Sequence, residues 1–196
     1  MPRLFTGIEI PVEIGERLSY LRGGLPGARW INPDNYHLTL RFVGDIDMHV
    51  AEEIAAALTR VRRGPFSLRL GDIGALGTRK QHAIVVRTDP STEIVELQAE
   101  HERIMQRIGL PPETRKFTPH VTLARLRGAN GRDIADYLSL RGGFAADSFT
   151  VDRFVLFSSR NAIGGGPYVV EEAYPLARPG ERSEIAARES GQWRDD

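Results

Sequence analysis

Apolar and polar residues alternate over residues 37–43 and again over 120–126, and a period of two marks a strand with one buried face. In the first stretch Leu38, Leu40 and Phe42 are directed to a core, with His37, Thr39 and Arg41 on the other face. In the second, Val121 and Leu123 turn inward while His120, Thr122 and Ala124 look out. Further strands are predicted over 3–10, 66–70, 82–88, 149–158 and 168–176, with a short extended piece at 28–31. Spacings of three and four predict helices over 48–61 (Val50, Ile54, Ala57, Leu58, Val61) and 92–108 (Ile94, Leu97, His101, Met105, Ile108). Shorter helices are predicted over 11–21, where Pro11 suits a first turn, and over 132–140. Asp45 or Asp47 is placed to cap the 48–61 helix. Residues 71–81 read as a loop, and Gly164-Gly165-Gly166-Pro167 as a hairpin turn.

Each of the two alternating stretches is preceded by a strand–helix pair and followed by a helix and further strand. The chain therefore reads as two copies of one unit, with 83 residues between His37 and His120. The predicted fold is α+β: two pseudo-symmetric lobes, each an antiparallel sheet with helices, around a central cleft. Residues 1–177 form one bilobal domain, and the highly charged tail 178–196 has little reason to pack and is expected to be mobile.

Composition narrows the partners. The 196 residues carry 26 basic and 26 acidic side chains, so a broad electrostatic footprint for duplex DNA or RNA is not expected. The end of an RNA, or a nucleotide, remains open. Only Lys80 and Lys116 are lysines, and arginine is the better bidentate phosphate ligand. With no cysteine, disulfides, thiolate metal sites and thiol nucleophiles are excluded. Neither a signal-peptide region nor a membrane-length apolar run is present, so a soluble, cytoplasmic protein is expected.

The phrase His37-Leu38-Thr39-Leu40 recurs as His120-Val121-Thr122-Leu123. If the two strands meet across a cleft, the site holds two imidazoles and two hydroxyls, the equipment for metal-free acid–base chemistry on a phosphate ester. Free imidazole titrates near pH 6.5, so one neutral and one protonated ring is an accessible pair at neutral pH. Two histidines with no Asp, Glu or Cys beside them make a poor metal site. Arg41 lies on the histidine face by parity. Arg125 falls with the core residues unless its strand bulges or it reaches around the edge. Phe42 reads as packing, and His49, His82 and His101 as structural residues.

These motifs resemble the 2H phosphoesterases, named for two H-x-T-x motifs, and within them the bacterial and archaeal RNA 2′,3′-cyclic phosphodiesterases, also called 2′-5′ RNA ligases. The resemblance extends to Arg3-Leu4-Phe5, Leu25-Pro26-Gly27-Ala28-Arg29-Trp30, Leu40-Arg41-Phe42-Val43-Gly44, Gly109-Leu110-Pro111-Pro112, Phe117-Thr118-Pro119-His120 and Phe154-Val155-Leu156-Phe157-Ser158-Ser159. It spans about residues 3–176. It departs at residues 77–82, where members of the family often carry a proline- and arginine-rich loop. The resemblance implies a cleft between two antiparallel sheets and no required metal or other cofactor. It implies hydrolysis of a 2′,3′-cyclic phosphate, on an RNA end or a cyclic nucleotide, to a 2′-phosphomonoester. His37 is then the proton donor, His120 the proton acceptor, and Thr39 and Thr122 bind the phosphate, with Arg125 and Arg41 as further phosphate ligands. Two alternatives share the fold: reversible 2′-5′ ligation of tRNA halves, and a non-catalytic RNA- or nucleotide-binding module. No membrane and no stable protein partner is implied.

Overall fold

A computed structural model describes residues 2–77, 81–159 and 166–177. The elements in chain order are β1 (Arg3–Glu9), α1 (Val12–Ser19), β2 (Ala28–Trp30), β3 (His37–Asp45), α2 (Met48–Leu58), β4 (Phe66–Leu68) and β5 (Leu70–Leu76). They continue as β6 (Ala83–Thr88), α3 (Thr92–Arg107), β7 (His120–Leu126), α4 (Gly131–Ser139), β8 (Phe149–Val151), β9 (Arg153–Ser159) and β10 (Tyr168–Pro175). The series β1-α1-β3-α2-β4-β5 repeats as β6-α3-β7-α4-β8-β9, each element starting 80–83 residues after its counterpart.

The large sheet runs β10-β9-β1-β3-β7-β6-β5, with β2 also on β7, and all its described pairings are antiparallel. Two halves meet at a single bridge, Leu38 opposite Val121. β5 of the first copy completes the sheet of the second, and β9 of the second completes the sheet of the first. The strands between them, β4 and β8, pair with one another.

That crossing explains two differences from the sequence pattern. The stretches predicted as single strands over 66–70 and 149–158 each break, at Arg69 and Asp152, because their first three residues pair with one another and the rest join the large sheet. The predicted 71–81 loop is strand through Leu76. Gly74, one of the glycines that suggested a loop, instead permits a close approach: a Cβ there would lie 2.2 Å from Arg87 Nη1.

Helix starts follow local chemistry. Ser91 Oγ accepts from Ile94 N on α3 and Asn130 Oδ1 from Asp133 N on α4, satisfying otherwise orphaned donors. The expected cap on α2 is absent: Asp47 makes no side-chain capping bond, and the Asp45 carboxylate is engaged by Arg3. Leu38, Val121, Ile84, Leu97 and Phe154 are among the fully buried side chains beneath the sheet, each worth about 2 kcal/mol of apolar burial. No helix among the described residues is long and apolar enough to cross a membrane. The 160–165 part of the predicted hairpin and the 178–196 tail lie outside the described residues.

Candidate active site

The Leu38–Val121 bridge sets the geometry of the motif residues. In an antiparallel pair with this register, His37 comes across from Thr122 and Thr39 across from His120. All four leave the sheet on the face opposite to Leu38 and Val121. The two histidines therefore sit on one diagonal of a four-residue patch and the two threonines on the other, a diagonal being about 7–8 Å between Cα atoms. Both strands separate beyond the bridge, and a cleft of about 760 Å³ opens over the patch, bordered by His37, Thr39, His120, Thr122 and Arg125.

Each histidine is held the same way. His37 Nδ1 donates to the carbonyl of Asn35 at 2.9 Å, and His120 Nδ1 to the carbonyl of Thr118 at 2.6 Å. A carbonyl only accepts, so Nδ1 carries the proton and a neutral ring offers an unprotonated Nε2. These two carbonyls, and the aromatic box of Phe5, Phe157 and Tyr168 around His37, were not read from the sequence. The available signal was the proline-containing turn preceding each histidine.

Burial, opposed by the Asn35 carbonyl and assisted by the positive charges of Arg125 and His120, pushes His37 down to about 4. His120 is also lowered, chiefly by burial, with Arg125, Arg87 and His82 adding to the effect against the Thr118 carbonyl. Both rings thus favour the neutral form. The Thr39 and Thr122 hydroxyls are not engaged by other described residues.

Three side chains depart from strict alternation for one reason. On β3, Thr6 faces Arg41 and Gly7 faces Thr39, leaving Leu40 as an extra residue. On β7, Ile84 faces Ala124 and Val85 faces Thr122, leaving Leu123. The two bulges occupy the same motif position, and each reverses the parity that follows. Arg125, which strict alternation alone would put on the core side, is exposed and borders the cleft, the bulge being the alternative that holds. Phe42, its counterpart on β3, is 44% exposed rather than packed in the core. Arg41 turns the other way. It touches the cleft's border, but its guanidinium is buried against Glu102 and donates to the carbonyls of Phe42 and Pro111. The phosphate-ligand role expected of Arg41 is therefore withdrawn.

Of the remaining histidines, His49 is exposed on α2 and His101 is fully buried, with Nδ1 2.8 Å from Thr6 Oγ1. His82, read as structural, borders the cleft near His120. No three His, Cys, Asp or Glu side chains converge among the described residues.

The model of the family described as "LigT like Phosphoesterase" matches this chain twice, over residues 8–86 and 85–168, so each match contains one histidine motif. The RNA 2′,3′-cyclic phosphodiesterase of Aeropyrum pernix is 36% identical over 115 residues, 58% of this chain and 65% of that protein. The protein of the same name from Escherichia coli is 27% identical over 90% of this chain and 97% of its own length. The crystal structure of E. coli LigT complexed with 3′-AMP superposes with a TM-score of 0.72 at 27% identity, covering 91% of this chain and all of that one.

Proposed function

The chain belongs to the LigT-like phosphoesterase family, and on that premise we propose that it hydrolyses 2′,3′-cyclic phosphates at RNA ends to 2′-phosphomonoesters by metal-free histidine acid–base catalysis. One observation carries this reading: two imidazoles with free Nε2 atoms lie diagonally across a patch whose other corners are unengaged hydroxyls, beside an arginine with no acidic partner among the described residues. The name shared by the A. pernix and E. coli relatives supports the same substrate class.

In this reading the cyclic phosphate sits over the patch. His120 Nε2 takes a proton from water, whose oxygen attacks phosphorus. The bond to the 3′-oxygen breaks in line, and His37 Nε2–H donates its proton to that oxygen. Thr39 and Thr122 donate to the non-bridging oxygens, where charge accumulates in the transition state. The acid role of His37 and the base role of His120 follow those that the family resemblance implies. Bound phosphate, being anionic, counters Arg125 and favours the protonated form of a ring beside it, supplying the proton that the acid donates.

Product analysis from an oligonucleotide ending in a 2′,3′-cyclic phosphate tests the reaction, with a 2′-phosphate expected and rates unchanged in EDTA. His37→Ala and His120→Ala should each abolish turnover while retaining the wild-type circular dichroism spectrum. A diester whose leaving group needs no protonation should restore turnover to His37→Ala and not to His120→Ala. Full activity in either variant refutes the mechanism.

A further inference from the structure

The arginines on the strands divide into two groups. Arg3, Arg41, Arg87 and Arg153 each meet a carboxylate: Asp45, Glu102, Asp72 and Glu9 respectively. Arg29 on β2 and Arg125 on β7 have no ion pair or hydrogen bond among the described residues, and both are exposed.

These two lie directly opposite one another in the β2–β7 pairing, so their side chains leave the same face of the sheet with Cβ atoms about 5 Å apart. That face continues the site. Ile31, two residues beyond Arg29, borders the cleft, whereas the intervening Trp30 packs its ring on Tyr137 of α4 on the other side. Like charges directly opposite on neighbouring strands repel. Placing two unneutralised guanidinium groups there, in a chain whose other strand arginines are paired, costs stability unless an anion comes between or beside them.

We propose that Arg29 binds the phosphodiester immediately preceding the cyclic end of a single-stranded RNA, making an oligonucleotide a better substrate than a cyclic mononucleotide. This rests on the reaction proposed above. Arg125, at the cleft's border, faces the reacting phosphate, and Arg29 is the next cation outward along the same sheet face. A single contact of this kind adds affinity without reading base identity, since phosphate contacts position a nucleic acid while base contacts specify it. It does not require the chain as a whole to be basic, which agrees with 26 basic and 26 acidic residues.

The test measures hydrolysis of a cyclic-phosphate mononucleotide and of a tetranucleotide with the same end, by the full chain and by Arg29→Gln and Arg29→Lys. In Arg29→Gln, kcat/KM on the tetranucleotide should fall about tenfold through KM, with the mononucleotide unaffected. The slope of log KM against log salt should decrease by about 0.7, the value of one phosphate contact on a single strand, and Arg29→Lys should recover most of the loss. Equal effects on both substrates, or none on either, overturn the proposal. If the wild type hydrolyses neither substrate, the catalytic reading has failed, and binding of a 3′-phosphate-ended tetranucleotide followed by fluorescence anisotropy decides the role of Arg29 alone. An approximately tenfold weaker Kd in Arg29→Gln supports it, and an unchanged Kd overturns it.

Discussion

His37 and His120 occupy equivalent places in two copies of one motif, yet their surroundings differ. His37 is enclosed by three aromatic rings, and His120 lies nearer to Arg87 and His82. Arg125 acts on both, its charge disfavouring an added proton on either ring. With both groups held below 6.5, the bell-shaped profile of kcat/KM should peak on the acid side of pH 6.5. Arg125→Gln removes a charge that lowers both values, so its profile should move toward higher pH while the maximal rate falls. A pH–rate series on both proteins checks this, and an unmoved optimum contradicts it. At this scale the motif residues were legible because side-chain identity is written in the chain. The carbonyls of Asn35 and Thr118 were not, since any residue supplies a carbonyl and only backbone geometry aims it.

The decisive features among the elements are the bulges at Leu40 and Leu123. They redirect Arg125 and Phe42 to the cleft and Arg41 into the interior, and parity alone put all three on the wrong face. Arg41 then meets Glu102 of α3, whose other oxygen accepts from Glu113 N at 3.0 Å. Together they hold the segment that leads to Thr118 and His120 against α3 and β3. Removing one partner of a buried ion pair leaves an uncompensated charge, costing about 3–5 kcal/mol. Glu102→Ala should therefore lower the melting temperature by about 6–20 °C, whereas Arg41→Met with Glu102→Leu should recover much of that loss. Thermal unfolding of the three proteins measures it.

Across the whole molecule, the exchange of β5 and β9 means that neither repeat contains its own complete sheet. Residues 2–77 alone would leave both the β9 edge of β1 and the β6 edge of β5 unpaired. Either repeat expressed separately should lack cooperative unfolding, while the full chain unfolds in one transition by circular dichroism. Stability should also depend on pH through the buried imidazoles. His101 is pushed down to about 3, by burial and the charge of Arg63, and His37 to about 4. Below pH 6.5 the unfolded chain takes up protons that the native rings refuse, so the unfolding free energy rises with pH across this window. Each ring contributes about 1.4 kcal/mol per pH unit, the stability being complete above pH 6.5 and lost toward 4. Replacing the buried pair together, with Thr6→Val and His101→Leu, should flatten the slope measured by denaturant titration between pH 4 and 6.5.

The sequence alone determined the period-two strands, the long helices, the internal duplication and the identity of the paired His and Thr side chains. Those follow from local periodicity and from residue chemistry, both of which survive in a linear string. The fold in three dimensions decided which strand completes which sheet, where one extra residue reverses a strand's facing, and which carboxylate neutralises which arginine. Pairing across 80 or more residues is settled by shared burial and backbone hydrogen bonding, and a bulge is visible only against the partner strand that it offsets.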